Sequence, residues 1–165
     1  MALSNRNRDK NRENGEKNRG FIRWPIFALG LILIFFALNK GEIKEAIISF
    51  VIGASGGFLL DCIGVAKLKL WFYTKQPFLS KPYFAIVIPT WGIFSMTVNL
   101  LWDKIPFPEI TTLSLLTLGL FSLHEIPNFK TGSWKYSVSM KIVVPGWLSL
   151  VWGTRILFLF LSLLI

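Results

Sequence analysis

Apolar residues in this chain gather into five long runs separated by short polar stretches. A helix that crosses the hydrocarbon of a bilayer needs about 20 predominantly apolar residues. The first run, Phe21 to Leu38, is stopped by Asn39 and Lys40; the second is Ala46 to Ala66 and the third Tyr83 to Trp102. The fourth, Ile110 to Leu123, is the shortest and reaches spanning length only if Pro106 to Glu109 begins it. Pro108 suits a first turn, where a missing N–H costs nothing. The fifth extends from about Ile142 to Ile165, with Pro145 near its start and Arg155 inside it. The pattern predicts an all-α integral membrane protein. The expected architecture is a five-transmembrane-helix bundle, with spans at about 21–38, 46–66, 83–102, 107–124 and 142–165.

Charge placement sets the expected orientation. With five spans, one side collects the N-terminal segment and the second and fourth loops, giving fourteen Lys and Arg residues against three on the other side. Were the fourth run re-entrant, the ratio would fall to eleven against six. Cytoplasmic loops carry the Lys and Arg excess, so the N-terminus is expected in the cytoplasm and the C-terminus outside a cell membrane. Residues 1–20, rich in Asn, Arg, Lys and Glu, are expected to form a disordered basic cytoplasmic tail drawn to anionic lipids. No small-x-small cleavage site follows the first run, which reads as an uncleaved helix.

Composition agrees with this class. Charged residues are 16% and hydrophobic residues 53%, with a mean hydropathy of +0.54; a soluble domain carries about 25% charged residues. The net charge of +9 flanks apolar runs instead of lining a folded face, which makes nucleic acid an unlikely partner. The single cysteine, Cys62, sits in an apolar run and suggests neither a disulfide nor a metal site. No cofactor motif is present, and no internal repeat is apparent between the halves.

Polar residues within the spans are the candidate functional groups, because an ionisable side chain left in lipid costs several kcal/mol. Asp61 shares a helical face with Ser49, Gly53 and Gly57, and Gly64 continues the stripe. Small residues let another helix approach closely, so Asp61 is expected to face a helix neighbour, with Arg155 as its buried charge partner. His124 and Glu125 end the fourth run and could move a proton; with Asp61 they are the catalytic candidates if the protein is an enzyme. The alternative is a solvated helix end stopped by Pro127. Lys67, Lys69, Trp71 and Tyr73 are expected at the lipid interface, as are Trp24, Tyr83, Trp102, Trp134 and Tyr136 near other run ends. An aromatic substrate box is the alternative for the Trp71-Phe72-Tyr73 cluster.

Asp61, followed ten residues later by Trp71-Phe72-Tyr73, resembles the Asp…Trp-x-aromatic segment of lycopene-cyclase-type carotenoid membrane domains. Those domains carry a proline with paired glutamates; here Ile88-Pro89-Thr90-Trp91 has none, and Glu125 precedes its own proline. Three function classes follow. A structural or assembly protein, with a homo-oligomer or membrane-protein partner, stands first. A membrane enzyme or binder acting on a lipid or isoprenoid at the inner leaflet is second, and a small transporter or channel third.

Overall fold

A backbone in lipid must satisfy its own N–H and C=O groups, so each apolar run closes into a helix. The computed structural model describes residues 24–164. Within them lie five helices: α1 Trp24–Lys40, α2 Ile43–Asp61, α3 Ile88–Trp102, α4 Glu109–Thr131 and α5 Met140–Ser162. A π-helical segment, Cys62–Lys67, prolongs α2, and another, Tyr83–Val87, leads into α3. Two short strands, β1 (Trp71–Tyr73) and β2 (Trp134–Tyr136), complete the fold. The expected tail over residues 1–20 lies outside the described residues.

Four helical stretches are long and apolar enough to cross a membrane: Ile43–Lys67, Tyr83–Trp102, Glu109–Phe129 and Met140–Ser162. The apolar part of α1, Pro25–Lys40, is shorter. The fourth run, expected to be the shortest, reaches spanning length by extending at its C-terminal end. α4 continues past Leu123 through Pro127 to Thr131, and His124, Glu125 and Asn128 are all buried. Those side chains look like a solvated helix end only while their partners on other elements are unknown. Gly132 then ends α4 in the left-handed conformation (φ +58°), donating its N–H to the Asn128 carbonyl at 2.6 Å. A residue without Cβ takes that conformation without strain.

β1 and β2 pair antiparallel, with Trp71 opposite Tyr136, Phe72 opposite Lys135 and Tyr73 opposite Trp134. The ladder continues from Thr74 N–H to the Ser133 carbonyl and from Ser137 N–H to the Leu70 carbonyl, each at 2.8 Å. The loops after α2 and α4 therefore meet at one end of the bundle, the sheet end. For that to happen α4 must run the full length of the bundle, returning from the far end where the α3–α4 loop lies.

α3 is the central helix and touches the other four. On one side Met96 and Leu100 pack with Leu33 and Ala37 of α1 and Ala46 of α2. On the other Phe94, Val98 and Trp102 pack with Leu116, Leu120, Val143, Trp147 and Val151 of α4 and α5. Large apolar side chains on the outer faces, such as Leu31, Phe35, Ile47, Leu118, Ile156 and Phe160, are exposed. That surface suits lipid, which solvates it, and not water.

Candidate functional site: a carboxylate-braced aromatic cavity

The small-residue face of α2 is where α3 docks. A Cβ built on Gly53 would lie 2.2 Å from the Trp91 carbonyl oxygen, and one on Gly57 would lie 2.1 Å from Trp91 Cγ. Ser49, one turn earlier, is fully buried. A Cβ on Gly64 would come within 2.0 Å of the Trp71 ring. The stripe thus seats two indoles, and both turn their N–H groups to Asp61.

Asp61 is completely buried at the end of α2. Its Oδ1 accepts from Trp71 Nε1 at 3.0 Å and from the Tyr73 hydroxyl at 2.9 Å. Oδ2 accepts from the Tyr83 hydroxyl at 2.8 Å, Trp91 Nε1 at 3.1 Å and again from Tyr73 at 3.1 Å. A carboxylate offers about four lone-pair sites, and an indole N–H can only donate. Neutral aromatic donors therefore occupy the acceptor capacity of Asp61, which braces β1, the entry to α3 and α3 itself.

Glu125 repeats this arrangement on α4. It is completely buried, and its Oε1 accepts from the Tyr136 hydroxyl at 2.5 Å. Oε2 receives Asn128 Nδ2 at 3.4 Å, and Asn128 Oδ1 accepts the Trp134 backbone N–H at 2.9 Å. All three tyrosines of the chain thus donate to a buried carboxylate. Burial raises the Tyr73 hydroxyl well above its usual pKa of 10.0, and the charge of Asp61 adds to the shift. Burial likewise raises Tyr136, helped by its bond to Glu125. Both remain protonated donors at neutral pH.

The two halves prove to be copies of one pattern, correcting the expectation of no internal repeat. An acid at the end of a helix (Asp61, Glu125) is followed by Trp-x-Tyr (Trp71 to Tyr73, Trp134 to Tyr136). Then comes Ile-Val-x-Pro-x-Trp: Ile86 to Trp91 in one half, Ile142 to Trp147 in the other. The strand register is symmetric about Phe72 and Lys135, each tryptophan facing the other strand's tyrosine. Aligning Asp61 with Glu125 places Gly57 at Phe121, and Trp147 packs on Phe121 at 5.8 Å as Trp91 packs on Gly57. Both units run in the same direction through the bundle, the parallel type of repeat.

A cavity of about 370 Å³ lies between the units at the sheet end. Equivalent positions line it from each side: Leu60 and His124, Gly64 and Asn128, and the ring pairs Trp71/Trp134, Tyr73/Tyr136 and Trp91/Trp147. The wall is mainly apolar. Asp61 and Glu125 are not on it; they stand behind the rings they hold.

The expected site residues fall out as follows. Asp61, His124 and Glu125 share one end of the bundle but not one polar pocket. His124 is buried on the cavity wall between Phe94 and Trp147, with ring centroids at 6.3 and 5.5 Å, and it bonds to neither carboxylate. Among the described residues, no three of His, Cys, Asp or Glu come together. Trp71 and Tyr73 point inward to Asp61, closer to the aromatic-box alternative than to a lipid belt, while Lys67 and Lys69 are exposed.

Asp61 and Arg155 do not pair, which corrects the expected buried bridge. Arg155 Nη2 donates to both oxygens of Asp103 at 2.7 and 2.8 Å, and its guanidinium lies over Trp102 and Phe158 at 5.6 and 5.9 Å. The cause is helix length. The bridge would need a helix that starts at Pro145, but α5 begins at Met140, so at a rise of 1.5 Å per residue Arg155 lies about 22 Å along it, near the far end.

Comparison with models of known protein families, with curated proteins and with solved structures gives no significant match.

Proposed function

We propose that the protein is a multi-pass membrane protein that binds an amphiphile of the lipid or isoprenoid class in the cavity at the sheet end. The observation that carries this reading is a preformed apolar cavity whose rings are locked in place by buried acceptors. Ligand sites are typically concave and apolar with a few placed polar groups, and here Lys75, Gln76, Thr90, His124, Asn128 and Ser133 interrupt a mainly apolar wall. A scaffold needs buried polar groups for packing but gains nothing from a void, since empty space forfeits dispersion contacts. A transport path between α3 and helices α4 and α5 would meet the packed side chains of Phe94, Val98 and Trp102.

The sheet end is the cytoplasmic side on this reading, with α1 as a fifth span. The charge asymmetry supports it, and exposed Lys67 and Lys69 stand where they would meet anionic lipid at the inner leaflet of a plasma membrane. Acid–base catalysis by Asp61 is disfavoured because neutral donors already occupy its oxygens.

Gly146 provides the test. It lines the cavity, and a Cβ there would meet nothing within 4 Å. The wild-type chain in detergent should show saturable, one-to-one quenching of tryptophan emission by farnesol or oleyl alcohol. Gly146→Leu should abolish that binding with the melting temperature unchanged or raised. Absence of saturable binding by the wild type would return the protein to the scaffold reading.

A further inference from the structure

The cavity's electrostatics go further than its shape. Asp61 and Glu125 flank it on opposite halves, and the donors bonded to them, Trp71, Tyr73, Tyr83, Trp91, Asn128 and Tyr136, are neutral. The ion pairs among described side chains, Lys104–Glu42 and Arg155–Asp103, are both at the far end. Each carboxylate is held by neutral N–H and O–H groups, so its charge is stabilised but not cancelled. Their field adds in the space between, where the low dielectric screens it little.

The rings mediate that field. Trp71, Tyr73, Trp91 and Tyr136 line the cavity while donating an edge group to a carboxylate behind the wall. An indole or phenol that donates to an anion gains electron density on its π face, and such faces attract cations. An anionic head would find the opposite. The Trp71, Tyr73, Trp91 and Tyr136 donors that could hold it are already bound to Asp61 and Glu125, and Lys75 is the cation that the wall offers it. His124, packed between two rings, adds no ion pair.

We propose that the cavity is an aromatic cage for a compact organic cation of the quaternary or tertiary ammonium class, carried as the head of the bound amphiphile. The cation sits on the pseudo-two-fold axis between Asp61 and Glu125, with one layer of rings between it and each carboxylate. Asp61 and Glu125 are positioning residues, and the rings make the contact. The inference rests on the reading of the cavity as a ligand site, and the test separates the two.

Choline and 3,3-dimethylbutan-1-ol have the same shape and differ in charge. Titrated into the full-length chain in neutral detergent, choline should bind at least about tenfold more tightly, as expected for a cation over desolvated rings. Glu125→Gln keeps an oxygen acceptor for Tyr136 but removes one charge; it should lower the ratio of choline to alcohol affinity severalfold, and an unchanged ratio overturns the cation inference. Gly146→Leu should exclude both. Equal binding of the two wild-type probes overturns the cation inference and leaves the apolar site standing. Failure of both probes, with farnesol still saturable, also overturns it. If farnesol fails as well, the ligand-site reading falls with it.

Discussion

The two ends of the bundle handle charge in opposite ways. At the far end, ionic groups meet ionic groups: Lys104 Nζ lies 2.6 Å from Glu42, both partly exposed, and the buried Arg155 pairs with Asp103, whose side chain is 70% exposed. At the sheet end, two completely buried carboxylates accept hydrogen bonds from neutral donors. Exposed ion pairs contribute about 0–1 kcal/mol, because water solvates the separated charges nearly as well. A buried acceptor is different, since removing it strands its donors at about 1–3 kcal/mol each. The sheet end should therefore carry stability and site geometry, while the far end adjusts packing at little energetic consequence.

The largest break in that comparison is Asp61→Ala. Its four donor groups, two indoles and two phenols, would lose their common acceptor. The expected cost is at least about 4 kcal/mol, visible as loss of cooperative unfolding in detergent or of folded protein altogether. Survival with unchanged stability would mean that the four rings do not depend on this carboxylate.

Gly57→Ala comes next. Its new Cβ would overlap Trp91 and push the indole from Asp61, costing about 1–3 kcal/mol as overpacking does. Gly56→Ala, where a Cβ meets nothing within 4 Å, should change stability by no more than about 0.5 kcal/mol. Denaturant unfolding of the pair isolates the close approach of α2 and α3 from any general effect of replacing glycine.

Alkaline pH probes the same bonds. Tyr73 and Tyr136 have folded-state pKa values raised above the usual 10.0, so the folded chain holds those protons longer than the unfolded chain. The stability they contribute is complete below pH 10.0 and declines as pH rises toward the folded values. Phenolate absorbance should show both tyrosines protonated beyond their normal range, then ionising together with unfolding. Titration of both at the usual pKa in the intact fold would break the assignment. The smallest effect belongs to Glu42→Gln, which weakens the partly exposed pair with Lys104 and is expected to cost less than about 1 kcal/mol, less still at high salt; thermal unfolding at two salt concentrations reads it.

The contrast between the ends also explains what could be read from sequence. Spans are legible because membrane partition depends on local composition, which a run such as Tyr83 to Trp102 displays without reference to the rest of the chain. The glycine stripe correctly turns Asp61 toward a helix, because helical spacing is a local property too. Its partners are not local. Trp71, Tyr73 and Tyr83 lie near run ends, where indoles and phenols ordinarily anchor in headgroups, and only the β1–β2 pairing folds the loop back over the bundle.

Arg155 misled for a related reason. A proline at 145 looks like a helix start, yet the helix begins five residues earlier at Met140. The repeat was in plain view as two Trp-x-Tyr and two Pro-x-Trp motifs. It is hidden by unequal spacing: Tyr73 precedes Pro89 by 16 residues, and Tyr136 precedes Pro145 by 9.

Everything at the sheet end depends on the two Trp-x-Tyr strands meeting there, and a cross-link tests that most directly. Phe72 and Lys135 are opposite each other in the ladder, and both are exposed. Cysteines at these positions, with Cys62→Ala to remove the native thiol, should form an intramolecular disulfide rapidly under mild oxidation, seen as a single monomeric species that resists thiol alkylation. Free thiols after oxidation, or disulfides only between chains, would contradict the paired loops, the full-length passage of α4 and the braced cavity together.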